Sequence, residues 1–250
     1  MTFINQDELD LRAQAIREEL VGIIHQRNNA TPRHLQVELG PSDVSHPCTR
    51  KLAYGLLQIE RCNPEFDILP SLIGTAVHAW LDTAVTHANN QLGRTRYLAE
   101  TRVSPASWLQ GSCDLFDTDN GDVIDWKVLG NSSFRKYKKS MNPAYKTQVN
   151  LYGLGFERAG HTVNHVGVMM IPRAGLLSGA YLWLEPYDRA IAEAALERRN
   201  NTLMLIQDLD IENNPQHFEL LEKSGPSCMF CAQFAPTPTS PLQCSGMDDY

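Results

Sequence analysis

Between Tyr97 and Leu129 the sequence runs in period two, and this stretch limits the possible folds more than any other. Tyr97–Val103, Ser112–Asp117 and Val123–Leu129 read as strands. The last two flank Thr118-Asp119-Asn120-Gly121, and Asn-Gly favours the positive-φ turn of a tight antiparallel hairpin. Helical periods lie on both sides. Asp7–Gln26 carries Leu9, Leu11, Ala15, Ile16, Leu20, Ile23 and Ile24 at amphipathic spacing, and Asn28–Pro41 reads as a loop. A second helix starts near Pro47 or Cys48, and Ser71–Asn89 follows with Val77, Leu81 and Val85 on one face. Beyond the hairpin the pattern predicts a helix over Pro143–Ala159, strands over Val163–Ile171 and Gly179–Leu184, and a helix over Asp188–Leu209. The expected class is α/β, with a central mixed sheet flanked by helices.

If Asn120-Gly121 makes the turn, residue 114 falls roughly opposite residue 127. Asp114 then lies near Asp125 and Lys127, which share one strand face, while Ile124, Trp126 and Val128 point to the core. Two adjacent carboxylates repel, and a divalent cation offsets that cost. A lysine beside them can position a water or balance charge on a phosphate. The plain alternative is an exposed Asp–Lys pair in water, because Asp-x-Lys is a common tripeptide.

Three other features are ordinary when taken singly. His78 follows Gly74 by one helical turn, and Gln148 and Tyr152 share a helix face at i and i+4. In chain order, however, they read Gly74-x-x-x-His78, Gly111-x-x-Asp114, Asp125-x-Lys127, Gln148-x-x-x-Tyr152. This ordered set resembles the RecB-like branch of the PD-(D/E)xK nucleases. The resemblance implies a restriction-endonuclease-like core in which His78, Asp114, Asp125 and the Trp126 carbonyl bind Mg²⁺ or Mn²⁺. Lys127 assists the attacking water, and Gln148 and Tyr152 sit beside the site and the nucleic acid. Glu100, on the preceding strand, stands where the family often has an acidic residue. Cys113 replaces the proline of the family name, and Asp replaces Glu at position 125.

Six cysteines in a chain with no visible signal peptide point to metal ligands or buried thiols rather than disulfides. Cys228-x-x-Cys231 with Cys244 can bind one metal centre, and Cys48 or, failing it, Cys62 could supply a fourth thiolate. Spacing alone leaves zinc, an iron–sulfur cluster and a redox pair open. Ser45-x-x-Cys48-x-Arg50-x-x-x-Tyr54, read with the C-terminal trio, resembles the CRISPR-associated Cas-four exonucleases and AddB-type nucleases. That resemblance implies a structural [4Fe-4S] cluster on Cys48, Cys228, Cys231 and Cys244, with Zn²⁺ as the alternative, joining the two chain ends. The expected organisation is one nuclease domain over 1–250. It has a helical extension at 1–41, cluster-binding ends at 42–62 and 223–250, and a core at 71–210.

The net charge of −7 argues against indiscriminate coating of nucleic acid. One window departs from that average. Asn131–Lys146 holds Arg135, Lys136, Lys138, Lys139 and Lys146 with no acid, leaving −12 on the rest of the chain. Phe134, Tyr137 and Tyr145 interleave with these charges, which suits a single-stranded nucleic acid; a solvated loop is the alternative. The sequence thus leads to the expectation of a cytoplasmic, metal-dependent exonuclease acting on single-stranded DNA or DNA ends, in recombination, repair or spacer processing. Alternatives are a nuclease subunit of a helicase, integrase or other recombination complex, and a non-catalytic iron–sulfur DNA-binding module. The chain has no phosphate-binding Gly-x-x-x-x-Gly-Lys-Ser/Thr run of its own and no apolar run of membrane-spanning length, so no membrane partner is expected.

Overall fold

The structure, a computed structural model, describes residues 6–30, 39–63, 67–224 and 228–247. The chain divides into two compact units, one of Met1–Glu38 with Asp67–Leu72 and one of Leu39–Phe66 with Ile73–Tyr250. In the smaller unit, helix α1 (Gln6–Asn29) forms where the periodicity predicts it. Its apolar residues do not make a single stripe, however, and Leu11, Leu20, Val21 and Ile24 are all exposed around its circumference. Most of the loop expected before Pro41 lies outside the described residues.

The larger unit is built on five strands, β1 (Tyr97–Ala106), β2 (Leu109–Asp117), β3 (Asp122–Leu129), β4 (His165–Pro172) and β5 (Tyr181–Pro186), adjacent in chain order. The β3–β4 pair is parallel and the others are antiparallel. A parallel pair needs a crossover, here supplied by α5 (Asn131–Lys139) and α6 (Pro143–Arg158). The basic window is therefore largely helical, not the loop that was its alternative reading. Helix α6 is buried from Gln148 to Phe156. It approaches β1 closely: a Cβ on Gly155 would lie 2.7 Å from Val103 Cβ. Phe156 stacks on Phe116 of β2 at 4.2 Å between ring centroids.

The hairpin forms with a different register from the expected one. Asp117 pairs with Asp122, Phe116 with Val123 and Leu115 with Ile124, so the turn takes four residues and 114 comes level with 125, not 127. The cause is Asp117. Its carboxylate accepts from Asp119 N and Asn120 Nδ2 and from both Arg96 Nε and Nη2, fixing the wider turn. The face assignment also needs correction. Val123 and Leu129, on the Asp125–Lys127 face, join the main core with Val149 and Phe156, whereas Trp126 and Val128 are only half-buried. An interior strand flanked by a parallel neighbour buries both faces, so polarity alone does not show which face meets the helix.

Further helices belong to this unit in whole or in part, beginning with the short α2 (Pro41–Val44). Helix α3 (Thr49–Leu56) begins at Cys48, whose Sγ accepts from Lys51 N. Helix α4 (Leu69–Leu92) starts two residues earlier than expected, and α7 (Arg189–Asp208) is capped by Asp188. The α3 segment and the C-terminal tail are tied by hydrogen bonds between distant residues: Cys62 N to Ala232 O, Tyr54 Oη to Gln243 O, and Gln233 Nε2 to Ile59 O. These satisfy polar groups that a Pro-rich tail would otherwise leave unpaired.

Candidate functional site

His78, on α4, sits over the splayed end of the β2–β3 ladder. Its Nε2 lies 3.1 Å from the Trp126 carbonyl and its Nδ1 lies 3.2 Å from Asp114 Oδ1 and 4.0 Å from Glu100 Oε1. Asp114 Oδ2 accepts from Trp126 N at 2.7 Å. That bond takes the amide the ladder would otherwise use, so pairing stops at Leu115–Ile124. Glu100 occupies the left-handed region at φ 44°, which turns its carboxylate toward the same point at a cost in backbone energy. Ligand atoms of His78, Glu100 and Asp114 all lie within 4.8 Å of one another.

The histidine geometry is a test of fit for a cation. With Nε2–H donated to a carbonyl, Nδ1 presents its lone pair to two carboxylates, an arrangement that repels unless a proton or a metal ion lies between. The hydrogen bond that the Asp114 carboxylate accepts from the imidazole raises the pKa of His78, against the opposing effect of burial. The residues present suit Mg²⁺ or Mn²⁺ in their oxygen content, with one imidazole. Trp126 is found orienting the histidine through its carbonyl. Glu100 stands within the trio.

Asp125 and Lys127 lie beside this trio. Lys127 Nζ is 2.7 Å from Asp125 Oδ2, yet that buried oxygen has no hydrogen bond of acceptable geometry among the described residues. Burial pushes the Asp125 carboxyl up to about 6, with Asp114 adding to the rise and Lys127 opposing it. Burial by itself would discharge Lys127, but the Asp125 charge outweighs it and holds the ammonium above its usual value. The Tyr145 ring, on α6, lies 5.0 Å from that ammonium. One turn on, Gln148 Nε2 donates to Tyr152 Oη at 3.0 Å, both side chains being buried. The glycine of the second motif has a steric reason: a Cβ on Gly111 would meet Pro41 Cδ at 2.5 Å and Tyr152 Cε1 at 3.3 Å.

A cavity of about 430 Å³ runs from Lys127 and Gln148 to Cys48, Cys228, Cys231 and Cys244. Cys62 is not among its lining residues. No three of the cysteine sulfurs among the described residues lie within 4.8 Å of one another. Arg50, buried to 8% exposure, points its Nη1 at Cys244 Sγ at 3.9 Å and leaves Nε without a hydrogen-bond partner among the described residues. Backbone amides of Lys51 and Gly246 point at Cys48 Sγ and Cys244 Sγ.

Arg135, Lys136, Lys138 and Lys139 are exposed on α5, while Lys146 is half-buried on α6. These residues are not equivalent. Lys138 stands over Tyr181 at 5.1 Å, Lys146 stands over Trp183 at 5.8 Å, and Lys146 pairs with Glu185. Sequence reasoning gave no signal for Lys223, which lines the cavity from a segment without a motif. Arg50 lay inside the quoted N-terminal motif, but only its burial beside Cys244 reveals a role.

No protein-family description and no curated sequence matches the chain. Several solved structures match parts of the chain. An alkaline exonuclease from Laribacter hongkongensis matches at 11% identity over 74% of this chain and 95% of its own, with a TM-score of 0.48. The same enzyme in complex with dAMP matches at 14% identity over 74% and 94%, with a TM-score of 0.47. A phage-related exonuclease from Haemophilus somnus 129PT matches at 14% identity over 66% and 81%, with a TM-score of 0.44. No described helix is long and apolar enough to cross a membrane.

Proposed function

We propose that this chain is a divalent-cation-dependent deoxyribonuclease, hydrolysing phosphodiester bonds of single-stranded DNA or DNA ends as an exonuclease. The reading rests on one observation above all: His78 Nδ1 and the Glu100 and Asp114 carboxylates converge within 4.8 Å beside a buried Asp125–Lys127 pair. His78, Glu100 and Asp114 would hold Mg²⁺ or Mn²⁺, and Asp125, buried beside them with its Oδ2 2.7 Å from Lys127 Nζ, completes the acidic set. A bound cation supplies Lewis acidity at the scissile phosphate and lowers the pKa of water. Trp126 O fixes the imidazole, and Asp125 keeps Lys127 charged despite its burial. That ammonium orients the attacking water or offsets charge developing on the phosphate. Gln148 and Tyr152 brace the adjoining wall. The exposed cations Arg135, Lys136, Lys138 and Lys139 take up phosphates of the strand, and Lys146 contributes once released from Glu185.

For the cysteines, a structural [4Fe-4S] cluster fits better than zinc. A tetrahedral zinc site with bonds near 2.3 Å brings its sulfurs to roughly 3.8 Å of one another. The four thiols line one cavity with no three sulfurs within 4.8 Å of one another, which leaves room for a larger cluster, and Arg50 would offset its negative charge. The cluster would hold the two chain ends without taking part in redox chemistry.

Incubating purified protein with end-labelled single- and double-stranded DNA and Mn²⁺, beside Asp125→Ala and Lys127→Ala, tests the assignment. Release of nucleotides by the wild type alone is the expected result. Equal degradation by all three removes this active site.

A further inference from the structure

Helix α1 is about 36 Å long, yet its Leu9, Ile16, Leu20 and Ile23 are between 41% and 55% exposed. A helix gains most of its stability by burying an apolar face, so this exposure calls for a partner. Asp67–Leu72 belongs to the same compact unit, but six residues cannot cover a helix of that length, and Leu69 and Leu72 are exposed themselves. Leu9, Ala13, Ile16, Leu20 and Ile23 follow one another at intervals of four, three, four and three residues. That is the spacing of a coiled-coil seam, and it confines the five to an arc of about 80°. Leu11 and Val21 fall outside the arc, which is why α1 as a whole shows no single stripe. Opposite the seam lie Gln14, Glu18 and His25, all exposed, with Gln14 Nε2 donating to Glu18 Oε1 at 3.1 Å.

Charge decides what can lie against this seam. Arg12 and Arg17 flank it on opposite edges, Glu19 shares the edge of Arg12, and all three are exposed. In a parallel pair of such helices, Arg12 of one copy meets Arg17 of the other, twice over. In an antiparallel pair like edges face each other, and Arg12 can meet Glu19, again twice. The antiparallel registers differ too. Setting Leu9 against Leu20 and Ala13 against Ile16 makes the Arg12–Glu19 contacts. A slide of one heptad, which sets Ala13 against Ile23, opposes Glu19 to Glu19 and Arg17 to Arg17. We propose that α1 is a dimerisation helix whose partner is α1 of a second copy of this chain, antiparallel and in the first of these registers. Such a pair is isologous, with each layer repeated about a two-fold axis. The inference is independent of the nuclease reading, to which it adds an assembly carrying two acidic centres.

Sedimentation velocity of the full chain over a range of concentrations tests this. The wild type should sediment as a reversible dimer, and Leu20→Glu should be monomeric. Arg12→Glu should raise the dimer dissociation constant about tenfold, because two attractive contacts become repulsive, and combining it with Glu19→Arg should restore the wild-type value. Tighter association of Arg12→Glu marks a parallel pair and overturns the antiparallel one, and an unchanged constant overturns the charge pairing. The charge variants leave the seam intact, so they decide the matter even if Leu20→Glu unfolds the helix. A wild type that stays monomeric, a larger assembly, or a dimer that survives Leu20→Glu overturns the proposal outright.

Discussion

The acidic centre on the sheet and the cysteine-lined end are held together in opposite ways. Most of the first is assembled from neighbours: Asp114, Asp125 and Lys127 come from one hairpin, and His78 is fixed by a single carbonyl from that hairpin. The second joins Cys48 to residues about 180 positions later, and its described ties are hydrogen bonds to loop carbonyls beside a small apolar cluster in which Tyr54 packs on Phe218 and Leu221. A ladder backed by the buried helix α6 orients side chains before anything binds. Closing such distant segments on each other costs loop entropy, which ligation would offset. Lys127 belongs to both regions, facing Asp125 on one side and the cavity on the other. The two regions therefore differ in how far their geometry is set before anything binds: the acidic centre is held by the sheet, and the cysteine-lined end by contacts between distant segments.

The sharpest test of this difference is through activity. Lys127→Ala and Asp114→Asn should each lower kcat by about 10²–10⁴ while leaving amide exchange over 228–246 unchanged. Measured turnover with parallel hydrogen exchange checks both halves, and altered exchange in the tail would show that the two regions are not independent. The next largest effect should come from the other side. Cys228→Ala should abolish the visible absorption of an iron–sulfur cluster and speed exchange in the tail and around Cys48 by about a hundredfold. Amides of β3 and β4 should keep their protection. If the β3–β4 amides also lose it, the ends are part of the core and the comparison fails.

Sequence made these two regions legible to different degrees. The strands, the helix bearing Gln148 and the hairpin were readable because period-two and period-3.6 patterns follow directly from side-chain direction. Register was not, because Asn120-Gly121 signals a turn without stating its length, and the deciding group was Asp117 bonding to its own turn. The buried face of β3 was misread for a related reason. Asp125 and Lys127 look solvent-facing by polarity, but their charges are paired with each other beneath α6. Arg50 and Lys223 were silent, since no local pattern encodes a meeting of residues so far apart. Glu100 was ambiguous, because its backbone conformation is what turns it inward and φ is not written in an isolated glutamate.

Glu100 gives a smaller but two-sided test. Its φ of 44° costs a non-glycine residue about 1–2 kcal/mol. Glu100→Gly should therefore raise the thermal midpoint of the metal-free protein and, by deleting a ligand, reduce the further rise that Mn²⁺ produces. Thermal melts with and without Mn²⁺ read both effects. A midpoint that falls without metal would mean the carboxylate has a structural role outweighing the strain.

The smallest effect expected lies in the turn that sets the register beneath the acidic centre. Arg96 donates to both oxygens of Asp117, at 3.0 and 2.7 Å, and holds its carboxyl below the usual range, partly against burial. A carboxyl depressed in the folded state contributes stability that is fully present above its unfolded pKa, about 3.9. That contribution is lost as pH falls through the lower, folded value. Wild-type stability should then decline on acidification below about pH 4, and part of the decline belongs to this pair. Asp117→Asn should melt a few degrees lower at neutral pH, and the gap to wild type should narrow steadily in acid. A gap that stays constant down to the foot of the transition would assign the loss to the turn hydrogen bonds alone, since an amide can still accept from Asp119 N. In that case the wider turn is fixed by neutral bonding, and Arg96 is dispensable to the register that brings Asp114 level with Asp125.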